Sequence, residues 1–367
     1  MIKNKFSTIN EIIKKAKNGK MFILVDDEKR ENEGDLVVPA SKITPKLINF
    51  MAKYGRGLIC LALSQSQVNK LNLSLMSRTN NSRSQTAFTV SIEAKKGVTT
   101  GISAHDRSHT IKTAIKNNVS SKDIVSPGHV FPLVSKNGGV LVRAGHTEAS
   151  VDISRLSNCG QAGVICEIMN DDGSMAKGNQ LFNFAKKHKL KIGKIDDLIA
   201  YRLNRENLIK LKKTSTIKIN KQTYFIKIFE NLLDGSEHFA LIKGKLKLTK
   251  NPRVRVISSN IVKNYLMGEK LPNAFNKTIT YFKNYKDCVL IFIRDTNLKS
   301  VSETLKTYKE KEFYNSGQDK LIKNYGIGAQ IIKSLNIKKM ILVTRSRKRV
   351  VGLEGYGIKI IKQEIIK

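Results

Sequence analysis

Residues Asp26 to Asp35 carry six carboxylates, at Asp26, Asp27, Glu28, Glu31, Glu33 and Asp35, in a chain whose formal net charge is +36. Lys and Arg outnumber Asp and Glu by 66 to 30 overall, so composition alone would put about one acid in a window of that length. The apolar runs Met21 to Val25 and Leu36 to Val38 flank the cluster, which predicts a loop between two strands. Acids held that close repel one another, so the fold must offer them a cation or full exposure to water. Carboxylates on a strand-connecting loop suit the hard ions Mg²⁺ and Mn²⁺. A solvated acidic turn is the simpler alternative.

Three further segments bear on that choice. Arg143-Ala144-Gly145-His146-Thr147-Glu148 follows a strand-like stretch, Gly139 to Val142. It combines a forked guanidinium for phosphate oxygens, a glycine that lets backbone N–H groups approach a ligand, a hydroxyl and an imidazole able to share a metal with a carboxylate. Glu167 sits inside the apolar run Val164 to Met169, where desolvation would raise its pKa into the range useful for proton transfer; an edge-strand Glu facing water is the alternative. His129 occupies a turn bracketed by Pro127 and Pro132 and taken alone reads as structural.

Together these segments resemble the 3,4-dihydroxy-2-butanone 4-phosphate synthase family. The resemblance rests on Asp26 to Asp35, on Thr99-Thr100-Gly101-Ile102-Ser103-Ala104-His105-Asp106-Arg107, on Pro127 to Pro132, on Arg143 to Ala149 and on Cys166-Glu167-Ile168, in that order within about the first 200 residues. It implies a lyase of riboflavin biosynthesis that converts D-ribulose 5-phosphate into dihydroxybutanone phosphate and formate. On that likeness Glu31 and His146 ligate Mg²⁺ or Mn²⁺, and Arg30 and Asp35 contact the sugar hydroxyls and carbonyl. Arg143, Ala144, Gly145, His146 and Thr147 hold the substrate, chiefly its phosphate. His129 and Glu167 are the proton-transfer pair, with Glu167 also touching substrate. The family builds its site near a homodimer interface, which implies a homodimer. Cys60 falls where the family has a cysteine near the site, and a small thiol in the apolar run Gly57 to Leu61 reads as structural.

Length and composition set the outer bounds. A chain of 367 residues with 40% hydrophobic content can form two globular cores. No apolar run approaches the roughly 18 residues of a membrane span. Met1 to Ala16 alternates Lys with Ile like an amphipathic helix and lacks the apolar core of a signal peptide. Cys60, Cys159, Cys166 and Cys288 form no CxxC pair, so a cytoplasmic location is expected, with no membrane partner. Residues 1–200 carry 30 basic and 17 acidic side chains, and the remainder 36 and 13. The lysines are dispersed and no helix-turn-helix, zinc-finger or RNA-binding motif accompanies them, so the charge reads as compositional drift rather than a nucleic-acid surface.

The domains are expected at 1–205 and 206–367, the boundary following a helix-like stretch, Ile195 to Asn207. An α+β (mixed α/β) fold is expected in both. In the second half, Ile217 to Ile219, Tyr224 to Phe229 and Val289 to Ile293 read as strands, and Asn276 to Tyr285 and Gly328 to Leu335 as helices. This half resembles GTP cyclohydrolase II at Glu237 to Gly244, Tyr325 to Ile331 and Gly352 to Gly357. That family holds a zinc-bound water with three cysteines, yet Asn260 stands where the first should follow Val254-Arg255-Val256, and no cysteine lies between 167 and 287. The expected phosphate loop reads Asp295-Thr296-Asn297-Leu298-Lys299, and the catalytic Asp and Arg positions fall on Leu321 and Lys323. The Gly326-Ile327-Gly328 turn is by itself a weak phosphate signal. The resemblance therefore implies a degenerate domain with no zinc; a bifunctional enzyme that keeps cyclohydrolase activity is the alternative.

Overall fold

The computed structural model describes residues 6–27, 30–77, 86–246, 251–258, 271–294, 317–345 and 356–366, with no side-chain description for 271–273 and 317–325. It divides into two compact units, Met1–Arg202 and Leu203–Lys367. Each is a mixed sheet with helices.

The first unit contains β1 (Phe22–Val25), β2 (Gly34–Pro39), β3 (Cys60–Leu63), β4 (Ile92–Ala94), β5 (Ile124–Val134), β6 (Ala162–Glu167) and β7 (Ile192–Lys194). Their order across the sheet is β4-β5-β3-β6-β2-β1-β7. The central strands β1, β2 and β3 are buried at every position, which is why they read as unbroken apolar runs. Leu36, Val38, Leu61, Leu63, Val164 and Cys166 point to one face and join the core shared with Ile48 of α2 (Pro45–Phe50), Val68 of α3 (Gln65–Lys70) and Ile111 of α4 (Ala104–Ala114). α1 (Ile9–Lys17) starts with a capping box between Thr8 and Glu11.

α5 (His146–Leu156) packs on β2, β3 and β6 and is buried from His146 through Ser154. Small residues let it lie close to the sheet: a Cβ at Gly163 would meet the Ser150 Cβ at 2.6 Å. Its buried serines return their hydroxyls to helix carbonyls, Ser150 to Thr147 and Ser154 to Ser150, so these hydroxyls are satisfied within the helix. Asp152 anchors the preceding turn by accepting from Val140 N at 2.9 Å, and it pairs with Arg202 at 2.7 Å. That turn corrects the sequence reading. Gly139–Leu141 is a short 3-10 helix rather than a strand, because Gly138 and Gly139 both adopt positive φ, which an extended strand excludes. α6 (Asn179–Lys187) and α7 (Ile195–Arg205) complete this part of the chain.

The second unit orders β8 (Ile209–Ile219), β9 (Gln222–Asn231), β10 (Glu237–Lys243), β11 (Arg253–Ser258), β12 (Cys288–Ile293), β13 (Lys339–Thr344) and β14 (Lys359–Ile365) as β14-β13-β11-β12-β10-β9-β8. α8 (Leu271–Lys283) places Ile279 and Phe282 in a core with Tyr224, Leu241 and Leu290. Gly326-Ile327-Gly328 is not a turn. It lies inside α9 (Gly317–Ser334), where a Cβ on Gly328 would reach 3.4 Å from Val256, so its small residues serve helix–sheet packing. Asn260, Asp295 to Lys299 and Gly352 to Gly355 lie outside the described residues, as do the side chains of Leu321 and Lys323. Among the described residues no helix is long and apolar enough to cross a membrane.

Candidate active site

The acidic loop joins the antiparallel strands β1 and β2, as its flanking runs implied. Asp26, at the end of β1, closes the loop: its Oδ1 accepts from Glu33 N at 2.9 Å, while Asn32 turns the chain with φ 55. The loop folds back so that Asp26 and Glu31 face His146, the first residue of α5. Ligand atoms of these three side chains all lie within 4.8 Å of one another. Asp26 is thus a third potential ligand beside the expected Glu31 and His146. Its position directly after an apolar strand, where a side chain is held rather than solvated, was the available signal.

Asp35 and Glu167 face each other as a cross-strand pair between β2 and β6. Burial pushes the Asp35 carboxyl well above the ordinary carboxylate range, and the neighbouring Glu167, Asp26, Glu31 and Glu33 push it the same way. Burial also raises Glu167, against hydrogen bonds from backbone N–H groups. One of these is a 2.9 Å bond from Leu58 N to Oε2. Gly57 makes room for that contact, since a Cβ there would sit 2.5 Å from the same oxygen. His146 is buried, with Nδ1 3.9 Å from Asp35 Oδ1, and its Nε2 has no hydrogen-bond partner. Desolvation lowers its pKa, so the neutral imidazole that a metal requires is the favoured form.

Arg30 answers part of the negative charge. Its Nη1 lies 2.6 Å from Asp26 Oδ2 and 2.8 Å from Glu31 Oε2. Lys177, which the sequence reading did not single out, donates to Glu31 O at 2.9 Å and lies 3.6 Å from Glu33. Arg143 holds Glu148 at 2.6 Å and Thr86 Oγ1 at 3.0 Å beside the N-terminus of α5, where Ala144, Gly145 and Thr147 also lie. A helix N-terminus next to a guanidinium suits a phosphate.

Asp26, Arg30, Glu31, Asp35, His146 and Glu167 therefore come together. His129 does not join them directly. It lies on β5 rather than on a free turn, and its Nδ1 is 3.1 Å from Glu93 Oε2. Cys60 pairs in register with Phe131 on one side and Ile165 on the other, so His129 and Glu167 flank the level of Leu58. Two strand spacings separate their backbones, about 10 Å. They are not a hydrogen-bonded pair. Cys60 itself is buried, with its thiol pushed up by desolvation. In the second unit Cys288 is a buried free thiol raised to about 12 by burial.

Residues 10–201 match the family profile described as 3,4-dihydroxy-2-butanone 4-phosphate synthase, and residues 210–365 match GTP cyclohydrolase II. The chain is 43% identical to the riboflavin biosynthesis protein RibBA of Aquifex aeolicus, over 99% of this chain and 93% of that protein. It is similar to the crystal structure of RibBX, a two-domain 3,4-dihydroxy-2-butanone 4-phosphate synthase from A. baumannii, with a TM-score of 0.84 and 37% identity over 98% of this chain and all of that one. A 3,4-dihydroxy-2-butanone 4-phosphate synthase solved in complex with two magnesium ions aligns with 55% of this chain and 98% of its own, at 36% identity and a TM-score of 0.53.

Proposed function

The chain belongs to the 3,4-dihydroxy-2-butanone 4-phosphate synthase family, fused to a part of the GTP cyclohydrolase II family, and from that premise we propose a Mg²⁺-dependent lyase acting on D-ribulose 5-phosphate. The observation that carries the metal is the buried His146, its Nε2 without a hydrogen-bond partner, clustered with Asp26 and Glu31. An imidazole kept neutral by burial beside two carboxylates fits a divalent ion, with Mg²⁺ or Mn²⁺ favoured by the oxygen donors. Glu31 and His146 would hold it with Asp26. When bound, such an ion stabilises the enediolate-like charge that develops next to the substrate carbonyl.

The chain's own groups do the rest. Glu167, raised by burial, is poised to take or return a proton at a carbon next to the carbonyl. Asp35, also raised by burial, is suited to hold a proton and donate it to a sugar oxygen as water departs. Arg30, held by Asp26 and Glu31, contacts the sugar hydroxyls. Arg143, Gly145 and Thr147, at the start of α5, bind the phosphate. His129 moves the second proton at a separate point of the substrate, consistent with its distance from Glu167. A cytoplasmic homodimer is the expected state.

The carboxyl-terminal part is inferred to have no cyclohydrolase activity. With no cysteine between residues 167 and 287, three thiolates cannot be gathered around the Val254-Arg255-Val256 strand, so no zinc is expected. Glu31→Ala tests the central assignment: with Mg²⁺ at saturation it should abolish formate release while far-ultraviolet circular dichroism stays unchanged. Retained turnover would refute the ligand set.

A further inference from the structure

His129 is delivered by a distortion of the sheet that no functional role so far explains. β4 and β5 run antiparallel, with Ile92 opposite Val130, but the next residue, Glu93, is opposite Val125. The step from one β4 residue to the next is matched on β5 by five, so residues 126–129 are extruded as a wide bulge. Bulges of this kind re-aim a side chain. Gly128 allows the extruded chain to lie flat on its neighbour, since a Cβ there would be 2.2 Å from the Ile92 carbonyl carbon, and its N–H donates to Ser91 Oγ at 3.1 Å. His129 ends the bulge with Nδ1 3.1 Å from Glu93 Oε2.

Glu93 is itself fixed. Its side chain is 13% exposed, against 43% for His129. Its carboxylate fills the niche above Gly101, where φ is +85 and a Cβ would fall 1.5 Å from Oε1. The Gly101 loop is pinned in turn by Asp106, which accepts from Thr99 Oγ1 at 2.8 Å and from Gly101 N at 3.1 Å. Bulge, carboxylate and loop thus form one mount that holds the His129 ring with its outer edge exposed.

We infer that Glu93 is a positioning residue for His129, its carboxylate accepting the Nδ1–H so that Nε2 is presented outward as the proton-accepting nitrogen. This rests on the reading of His129 as a proton-transfer group. A neutral imidazole has one donor and one acceptor nitrogen, and the partner of the first decides which is the second. Orientation of this kind acts on kcat and leaves substrate affinity alone.

Glu93→Gln keeps the shape that fills the Gly101 niche, so a merely structural role survives it. The expected result is a loss in kcat of about 100-fold, the lower end of the range for general acid–base catalysis, with KM unchanged. His129→Ala should lose at least as much, and the double variant should be no slower than His129→Ala alone. Nitrogen-15 NMR of the neutral ring in the wild-type protein should show Nδ1 protonated, a reading that needs no variant to fold. Full activity in His129→Ala would remove the premise. Slow His129→Ala with wild-type kcat in Glu93→Gln, multiplicative losses in the double variant, or a ring protonated at Nε2 would each overturn the role of Glu93 while leaving His129 in place.

Discussion

Gly57→Ala adds one methyl group where the structure leaves no room for it. The new Cβ would lie 2.5 Å from Glu167 Oε2 and 2.7 Å from both Glu167 N and O, whereas ordinary contact begins near 3.4 Å. The carboxyl must therefore retreat by about 0.9 Å, breaking its 2.9 Å bond from Leu58 N. A displacement of about 1 Å in a positioned group can cost on the order of 100-fold in rate, equivalent to about 2.7 kcal/mol. Overpacking costs about 1–3 kcal/mol of stability. Formate release and thermal melting, measured on the same preparation, separate the two effects. Expected are a fall in kcat of about 100-fold and unchanged Mg²⁺ affinity, because Asp26, Glu31 and His146 are untouched. A kcat within twofold of wild type in the folded variant would refute the assignment of Glu167 to proton transfer.

Two further perturbations follow from burial. Because burial raises Asp35, its neutral form is favoured in the fold: its contribution to stability is complete below the ordinary value of 3.8 and is lost as pH rises through the raised one. Asp35→Asn should therefore melt higher than wild type at neutral pH without metal, by roughly 2–4 °C for each kcal/mol recovered, with the difference gone below that ordinary value and activity lost. A melting temperature equal to wild type across the pH series would contradict this. Asp152→Ala leaves the buried Arg202 without its 2.7 Å partner and releases Val140 N, and should destabilise the first unit by about 3–5 kcal/mol in urea titration. A loss below about 1 kcal/mol would mean that water replaces the carboxylate.

The sheet that carries the site was largely legible, because strands buried on both faces leave continuous apolar runs such as Phe22 to Val25 and Cys60 to Leu63. The acidic loop was legible for the same reason: its ends are strands. α5 was not. A buried helix made of His146, Thr147, Ser150 and Ser154 has no apolar stripe, and its fit depends on small size and on hydroxyls bonding inward. Asp26 was hidden among equivalent acids, since ligation depends on which carboxylate the strand end holds. Glu93 gave only the weak signal of an acid between Ile92 and Ala94, because its partner is set by a bulge in a distant strand. Gly139 and Gly326 misled through local pattern, and in both cases tertiary packing decided the backbone.

The most direct measurement is formate release from D-ribulose 5-phosphate by the purified full chain, once with Mg²⁺ and once with a chelator. Stoichiometric formate that needs the metal is expected. Absence of formate from folded protein supplied with Mg²⁺, or release undiminished by the chelator, would contradict a metal-dependent lyase built on Glu31 and His146.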